Sequence, residues 1–122
     1  MIHTEGYLKL VNDSKTRIRE VTVQQSLDRV KENPDAKLID VREDHEWDAA
    51  RAVGAMHLSK GIIERDIERT FPDKSTELIL YCGGGYRSAL AADALQTMGY
   101  TNVFSMAGGW TAWKEAGAPI ES

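Results

Sequence analysis

One residue in this chain is chemically exceptional. Cys82 is the only cysteine, and it sits in the run Leu-Ile-Leu-Tyr-Cys-Gly-Gly-Gly-Tyr-Arg-Ser, residues 78–88. A thiol is a useful nucleophile as the thiolate, and its setting decides whether that form is favoured. Here the setting is Gly83, Gly84 and Gly85, then Tyr86, Arg87 and Ser88. Glycines allow positive φ, so consecutive backbone N–H groups can turn inward and form a nest for an anion. A helix beginning just after them adds the positive end of its dipole, and Arg87 adds a fixed cation. The plainer alternative is a buried, inert thiol beside an ordinary turn. Such a turn needs neither three glycines nor an arginine. The pattern therefore points to covalent chemistry on sulfur.

The surrounding elements must hold that loop. Glu77 to Tyr81 is short and apolar, as a buried parallel strand requires. A helix is expected from about Ser88 to Met98, with Leu90, Ala94, Leu95 and Met98 as its buried stripe and Gly99 as its cap. Earlier, Tyr7, Leu8 and Val11 have helical spacing within residues 5–16, read as a cover over the core. Ile18 to Val21 reads as an edge strand. Thr22 and Gln25 form a capping box for a helix with Val23, Leu27 and Val30 on one face, and Asn33-Pro34 stops it. Ala36 to Val41 is a strand ending in Asp40, and Ala55 to Leu58 is another. His57 lies within the latter and reads as a packed side chain. Gly61 to Phe71 is a helix on Ile63, Ile67 and Phe71, with a solvated charged face. Asn102 to Met106 is the last strand expected. Gly108 and Gly109 then lead into a helix whose Trp110 and Trp113 both face the core, and these glycines let that loop pass close to Cys82. Strands alternating with helices imply a parallel sheet covered on both faces, with Asp40 near Cys82 at its carboxyl edge.

Three stretches, in order, resemble the rhodanese family of sulfurtransferases. The first is the loop of six residues from Cys82 to Arg87. Phosphatases and arsenate reductases of related fold carry Cys-x5-Arg, one residue longer, whereas this chain has Cys-x4-Arg. The second is Asp40-Val41-Arg42 followed by Glu46 and Trp47. Gly54-Ala55 also fits, but Ala50 and Arg51 stand where the family often has Gly-His. The third is Gly108-Gly109 through Trp113. The resemblance spans about Ile18 to Ile120. It implies an α/β, three-layer, rhodanese-like domain with a central parallel sheet of about five strands and helices on both faces. The whole chain, 1–122, is read as one domain, with its core at about 18–120 and a helical extension at 1–17.

The resemblance also implies an activity. A sulfane sulfur would pass from a small anionic donor (thiosulfate, polysulfide or a persulfide) to a thiol or cyanide through a persulfide on Cys82. Gly83, Gly84, Gly85, Tyr86, Arg87 and Ser88 would form the substrate-binding loop, with Tyr86 at the mouth and Arg87 on the donor's anionic end or, alternatively, paired with a nearby carboxylate. Asp40, Arg42 and Glu46 would support it as one polar network. No cofactor is implied. Two other readings stay open: a persulfide relay module loaded by a partner protein, and a phosphatase or arsenate reductase on the same fold.

Composition narrows the partners. Charged residues make up 28% and apolar residues 42%, with a formal charge of −4. That balance suits a soluble domain and disfavours nucleic acid or an anionic membrane as partner. One cysteine allows no internal disulfide, and His3, His45 and His57 lack metal-ligand spacing. Residues 1–12 have neither the basic start nor the apolar core of a signal peptide, so the cytoplasm is the expected location.

Overall fold

The computed structural model describes residues 2–122. Five parallel strands form the central sheet: β1 (Arg19–Val21), β2 (Lys37–Asp40), β4 (Met56–His57), β5 (Leu78–Tyr81) and β6 (Val103–Met106), in the order β1-β6-β5-β2-β4. β5 is the central strand, and Cys82 follows it directly. The helices are α1 (Glu5–Lys15), α2 (Val23–Glu32), α3 (Asp44–Ala49), α4 (Ile63–Thr70), α5 (Tyr86–Thr97) and α6 (Gly109–Glu115). None is long and apolar enough to cross a membrane.

The alternation along β5 divides the core in two. Leu78 and Leu80 join Ile63, Ile67, Ala91, Ala92 and Leu95 on the side of α4 and α5. Ile79 and Tyr81 join Val23, Phe104, Met106 and Trp113 on the side of α2 and α6. Period two in the strand thus sends successive side chains into opposite layers. Cys82 belongs to the first layer, so its sulfur faces α5 rather than α6.

The sequence signals that punctuate these elements work as physical devices. Thr22 Oγ1 accepts from Gln25 N at 3.0 Å, and Gln25 Oε1 accepts from Thr22 N at 2.8 Å, which closes the capping box of α2. α2 ends at Glu32, before Pro34. α5 stops ahead of Gly99, and Tyr100 donates its backbone N–H back to Leu95.

Four expectations need correction. The buried face of α5 is Ser88, Ala89, Ala91, Ala92 and Leu95, while Leu90, Ala94 and Met98 are only partly buried. This helix is covered on more than one side, because α1 and α4 pack on it as well as the sheet, so it has no single stripe. Its first turn starts at Tyr86, two residues before Ser88. Asn102 to Met106 does not contain the last strand. Arg51–Ala52 (β3) pairs antiparallel with Ile120–Glu121 (β7) in a separate two-stranded ribbon. Two-residue strands are too short to show periodicity. Finally, Trp113 is buried, but Trp110 is only partly so.

α1 lies on the outer side of α5 with Val11 fully buried. Ser14 Oγ donates to Asp93 at 3.1 Å, and Arg17 donates to both oxygens of the same carboxylate, at 3.1 and 2.7 Å. Arg17 holds the Asp93 carboxyl below its usual range. These contacts fix the start of the chain over the end of the molecule where the Cys82 loop opens.

Candidate active site

The loop after β5 wraps around the sulfur. Gly85 N donates to Cys82 Sγ at 3.2 Å and Ser88 N donates at 3.3 Å. Ser88 Oγ lies 3.5 Å from the sulfur and 2.8 Å from Ser105 Oγ on β6. Both serines are fully buried, so Ser105 holds the Ser88 hydroxyl against the sulfur from the core side. Two main-chain donors and the first turn of α5 thus converge on one atom, an arrangement that stabilises negative charge there. Of the three loop glycines only Gly85 takes positive φ, at +95°. That single left-handed residue reverses the chain into α5, and Gly83 and Gly84 are not needed for the turn. Gly83 instead makes room, since a Cβ there would come within 3.0 Å of the Arg87 guanidinium.

The loop is also braced from below. Gly109 has φ +50°, and a Cβ on it would overlap the carbonyl oxygen of Cys82. The close approach lets Trp110 N donate to Cys82 O at 2.7 Å and Thr111 N donate to Gly83 O at 3.2 Å. The glycine pair at 108–109 therefore seats the loop, as its position in the sequence implied.

Arg87 is already engaged. Its guanidinium meets Glu46 as a fork, Nη1 to Oε1 at 2.7 Å and Nη2 to Oε2 at 3.2 Å. The hydrogen bond to Arg87 is the main reason that Glu46 is held down to about 2. Glu46 also caps α3 by accepting from Glu43 N at 2.9 Å. The expected network of Asp40, Arg42 and Glu46 is thus two separate pairs. Asp40 and Arg42 are bound to each other, fully buried, with Arg42 Nη2 at 2.8 Å from Asp40 Oδ2 and 2.7 Å from the carbonyl of Ala50. Burial demands a partner for each charge, and these two supply it. The Arg42 guanidinium also lies 4.5 Å over the Trp110 ring. This pair stiffens the end of β2, and Glu46 looks the other way, into the site. His57 stacks on Trp47 at 5.0 Å and bonds the carbonyl of Arg42 at 2.8 Å, so it is packed rather than poised as a base. Arg51, in the place of the family's histidine, lies 4.7 Å over the Trp47 ring and donates to the Trp47 carbonyl.

Above the sulfur is a cavity of about 740 Å³. Cys82, Gly83, Gly84, Tyr86 and Arg87 form its floor, with Glu46 beside them. Cys82 is 1% exposed, and its thiol faces this opening. The rest of the wall comes from His45, Thr111 and the N-terminal residues Ile2, His3, Thr4 and Tyr7, none of which sequence reasoning assigned to the site. His3 and Tyr86 rings are 4.3 Å apart, His3 and Tyr7 5.3 Å. The Tyr7 hydroxyl is pushed above its ordinary acidity range, first by burial and next by the nearby Cys82. Nothing local in residues 2–7 signals this role, which arises from how α1 docks on α5. Ser105 was also missed. Its signal was available, as a hydroxyl in an otherwise apolar strand beside β5.

Comparison with known proteins agrees with this geometry. The family model described as Rhodanese-like domain matches residues 23–116. The thiosulfate sulfurtransferase GlpE of Actinobacillus succinogenes is 33% identical over 103 residues, covering 84% of this chain and 90% of that protein. Among solved structures, a protein of unknown function from Rhodopseudomonas palustris, described as a possible tyrosine phosphatase, superposes with a TM-score of 0.87 at 28% identity, covering 99% of this chain and 98% of that one. The polysulfide-sulfur transferase homodimer of Wolinella succinogenes gives 0.82 at 25% identity, over 95% and 87%.

Proposed function

The chain belongs to the rhodanese-like family and is an enzyme of the thiosulfate sulfurtransferase type, and from that premise we propose that it works through a persulfide on Cys82. The Cys82 thiolate attacks the outer sulfur of a donor such as thiosulfate. A new S–S bond forms, the donor's own S–S bond breaks, and sulfite leaves with the electron pair. The terminal sulfur of Cys82–S–S⁻ then rests in the mouth of the nest. A thiolate or cyanide attacks it, the S–S bond breaks, and the electron pair returns to Sγ. Covalent catalysis splits one difficult transfer into two easier ones.

The observation that carries this reading is the pair of main-chain donors, Gly85 N and Ser88 N, on a sulfur at the bottom of an open cavity. Such donors hold charge that resides on sulfur before, during and after transfer, without reorganising. No general base is required once the thiolate is in place. Arg87 takes the donor's anionic end, in competition with Glu46, while Asp40 and Arg42 hold the edge of β2 that carries α3 and Glu46. The donor is a small sulfane compound, thiosulfate or polysulfide, as the names of the GlpE and Wolinella relatives suggest.

The test is mass spectrometry of the intact protein. Thiosulfate should add one sulfur atom to the wild type and none to Cys82→Ser, and cyanide should remove it. A wild-type protein that stays unmodified by thiosulfate and polysulfide overturns the reading. The R. palustris protein raises a second possibility, phosphate chemistry. The Cys-x4-Arg spacing argues against it, because a phosphoryl group needs a loop one residue wider. Turnover of an aryl phosphate dependent on Cys82 would reverse that judgement.

A further inference from the structure

The cavity is built for something larger than the donor. Its volume of about 740 Å³ lies in the range of pockets for drug-sized ligands, roughly 300–1,000 Å³. Thiosulfate and cyanide would each fill a small part of it. The walls differ in kind as well. Near the sulfur they are main-chain amides. Away from it, on the side supplied by residues 2–7, they are aromatic. His3, Tyr7 and Tyr86 form a cluster with centroid separations of 4.3, 5.3 and 6.3 Å and tilted planes. Among the described residues lining the cavity, Arg87 and Glu46 are the formally charged side chains and pair with each other; His45 also lines it, and outside the lining the Lys15 ammonium lies 5.3 Å from the centroid of the Tyr86 ring. An aromatic wall beside a closed ion pair offers little to a second anion and much to a flat apolar body.

The origin of this wall in the chain matters too. Residues 2–7 lie outside the stretch 23–116 that matches the family model. The nest lies within the stretch that matches the family model, while His3 and Tyr7 of the aromatic wall lie outside it. Tyr86 joins the two, being part of the Cys82 loop and also the ring on which His3 rests.

We propose that His3, Tyr7 and Tyr86 form an acceptor subsite, and that the acceptor it takes is an organic thiol with a planar, apolar body. This deepens the sulfur-transfer reading above and rests on it. The step balances simply. The acceptor thiolate, R–S⁻, attacks the terminal sulfur of Cys82–S–S⁻. The R–S–S bond forms as the Cys82 S–S bond breaks, and the electron pair returns to Cys82 Sγ within the nest. The product leaves as R–S–S⁻. The aromatic rings hold R by edge-to-face and offset contacts, worth roughly a three- to ten-fold rate preference for each well-placed ring.

The experiment isolates this half-reaction. The protein is loaded with thiosulfate, freed of excess donor, and mixed with benzyl mercaptan or with 2-mercaptoethanol. Loss of the extra sulfur is followed by intact mass, and each rate is divided by that for a free organic persulfide to remove intrinsic reactivity. Wild type should prefer benzyl mercaptan by about ten-fold or more. Tyr7→Ala and His3→Ala should each lower this ratio several-fold, and Tyr7→Phe should retain it, because the ring and not the hydroxyl makes the contact. His3 precedes α1, so its substitution reports on the wall without disturbing a helix. A wild type with no preference overturns the proposal, as does a ratio that both alanine variants leave unchanged. A protein that loads with sulfur but lacks the preference refutes the subsite alone. A protein that cannot be loaded refutes the sulfur-transfer reading and the subsite together.

Discussion

Glu46 uses one carboxylate for two purposes. It closes the capping box of α3 through Glu43 N and it holds the Arg87 fork. Its depressed pKa, about 2 against an ordinary 4.5, ties both to pH. A carboxyl whose folded-state pKa is lowered adds stability above its unfolded value, and that stability is lost as pH falls toward the folded value. Glu46→Gln should therefore be less stable than wild type at pH 7, and the gap should narrow as pH drops from about 4.5 toward about 2. Urea melts across that range test it, and a gap independent of pH would assign the loss to shape rather than charge. The same variant releases Arg87. Its thiosulfate KM should fall by about three-fold or more, while Arg87→Ala should raise it, since a charged fork is worth more to a dianion when it has no competing partner. An unchanged KM in both variants would make the pair purely structural.

At the scale of elements, the critical joint is between the Cys82 loop and the start of α6. Gly109→Ala would push a methyl group into the Cys82 carbonyl while keeping φ near +50°. The positive φ alone costs about 1 kcal/mol, and the overlap adds to it. The variant should show a lower melting temperature together with slower persulfide formation, because the loop must shift to admit the methyl group. A loss of stability with normal loading kinetics would show that the loop absorbs the change elsewhere. At the other face, Thr22→Ala removes one half of a capping box and should cost about 1 kcal/mol in urea unfolding, with sulfur transfer intact. These elements were legible beforehand because each is punctuated locally: Thr22 with Gln25, Pro34, Gly99, and the glycine pair before Trp110. β3 and β7 were not, since two paired residues leave no pattern and the ribbon exists only through tertiary contact. The buried face of α5 was misjudged for a related reason. An alanine-rich helix covered on several sides does not reveal which side is deepest.

Across the whole molecule, a parallel sheet covered on both faces, with Cys82 at the carboxyl end of a buried strand, followed from alternation and connection rules, whereas the strand order β1-β6-β5-β2-β4 had no local signal. Partner choice among charged groups did not follow either. Asp40, Arg42, Glu46 and Arg87 were all recognised, but which pairs with which depends on side-chain direction at the ends of different elements, and spacing does not encode that. Nor did the sequence announce that residues 2–7 reach the site, because the position of α1 is set by Ser14 and Arg17 meeting Asp93, 79 and 76 residues away. Asp93→Ala should detach that anchor. Hydrogen exchange in α1 should accelerate while the amides of β5 stay protected, and a uniform change in both would mean that α1 unfolds only with the rest.

The floor of the cavity and its rim are thus written in different parts of the gene. The sulfur, its amides and the brace from Gly109 sit within residues 23–116, whereas His3 and Tyr7 on the rim precede that stretch. If His3 and Tyr7 select the acceptor, substitutions there should change the choice of cargo while the Cys82 nest stays as it is. Exchanging the first seven residues between relatives is accordingly the shortest route to a new acceptor preference.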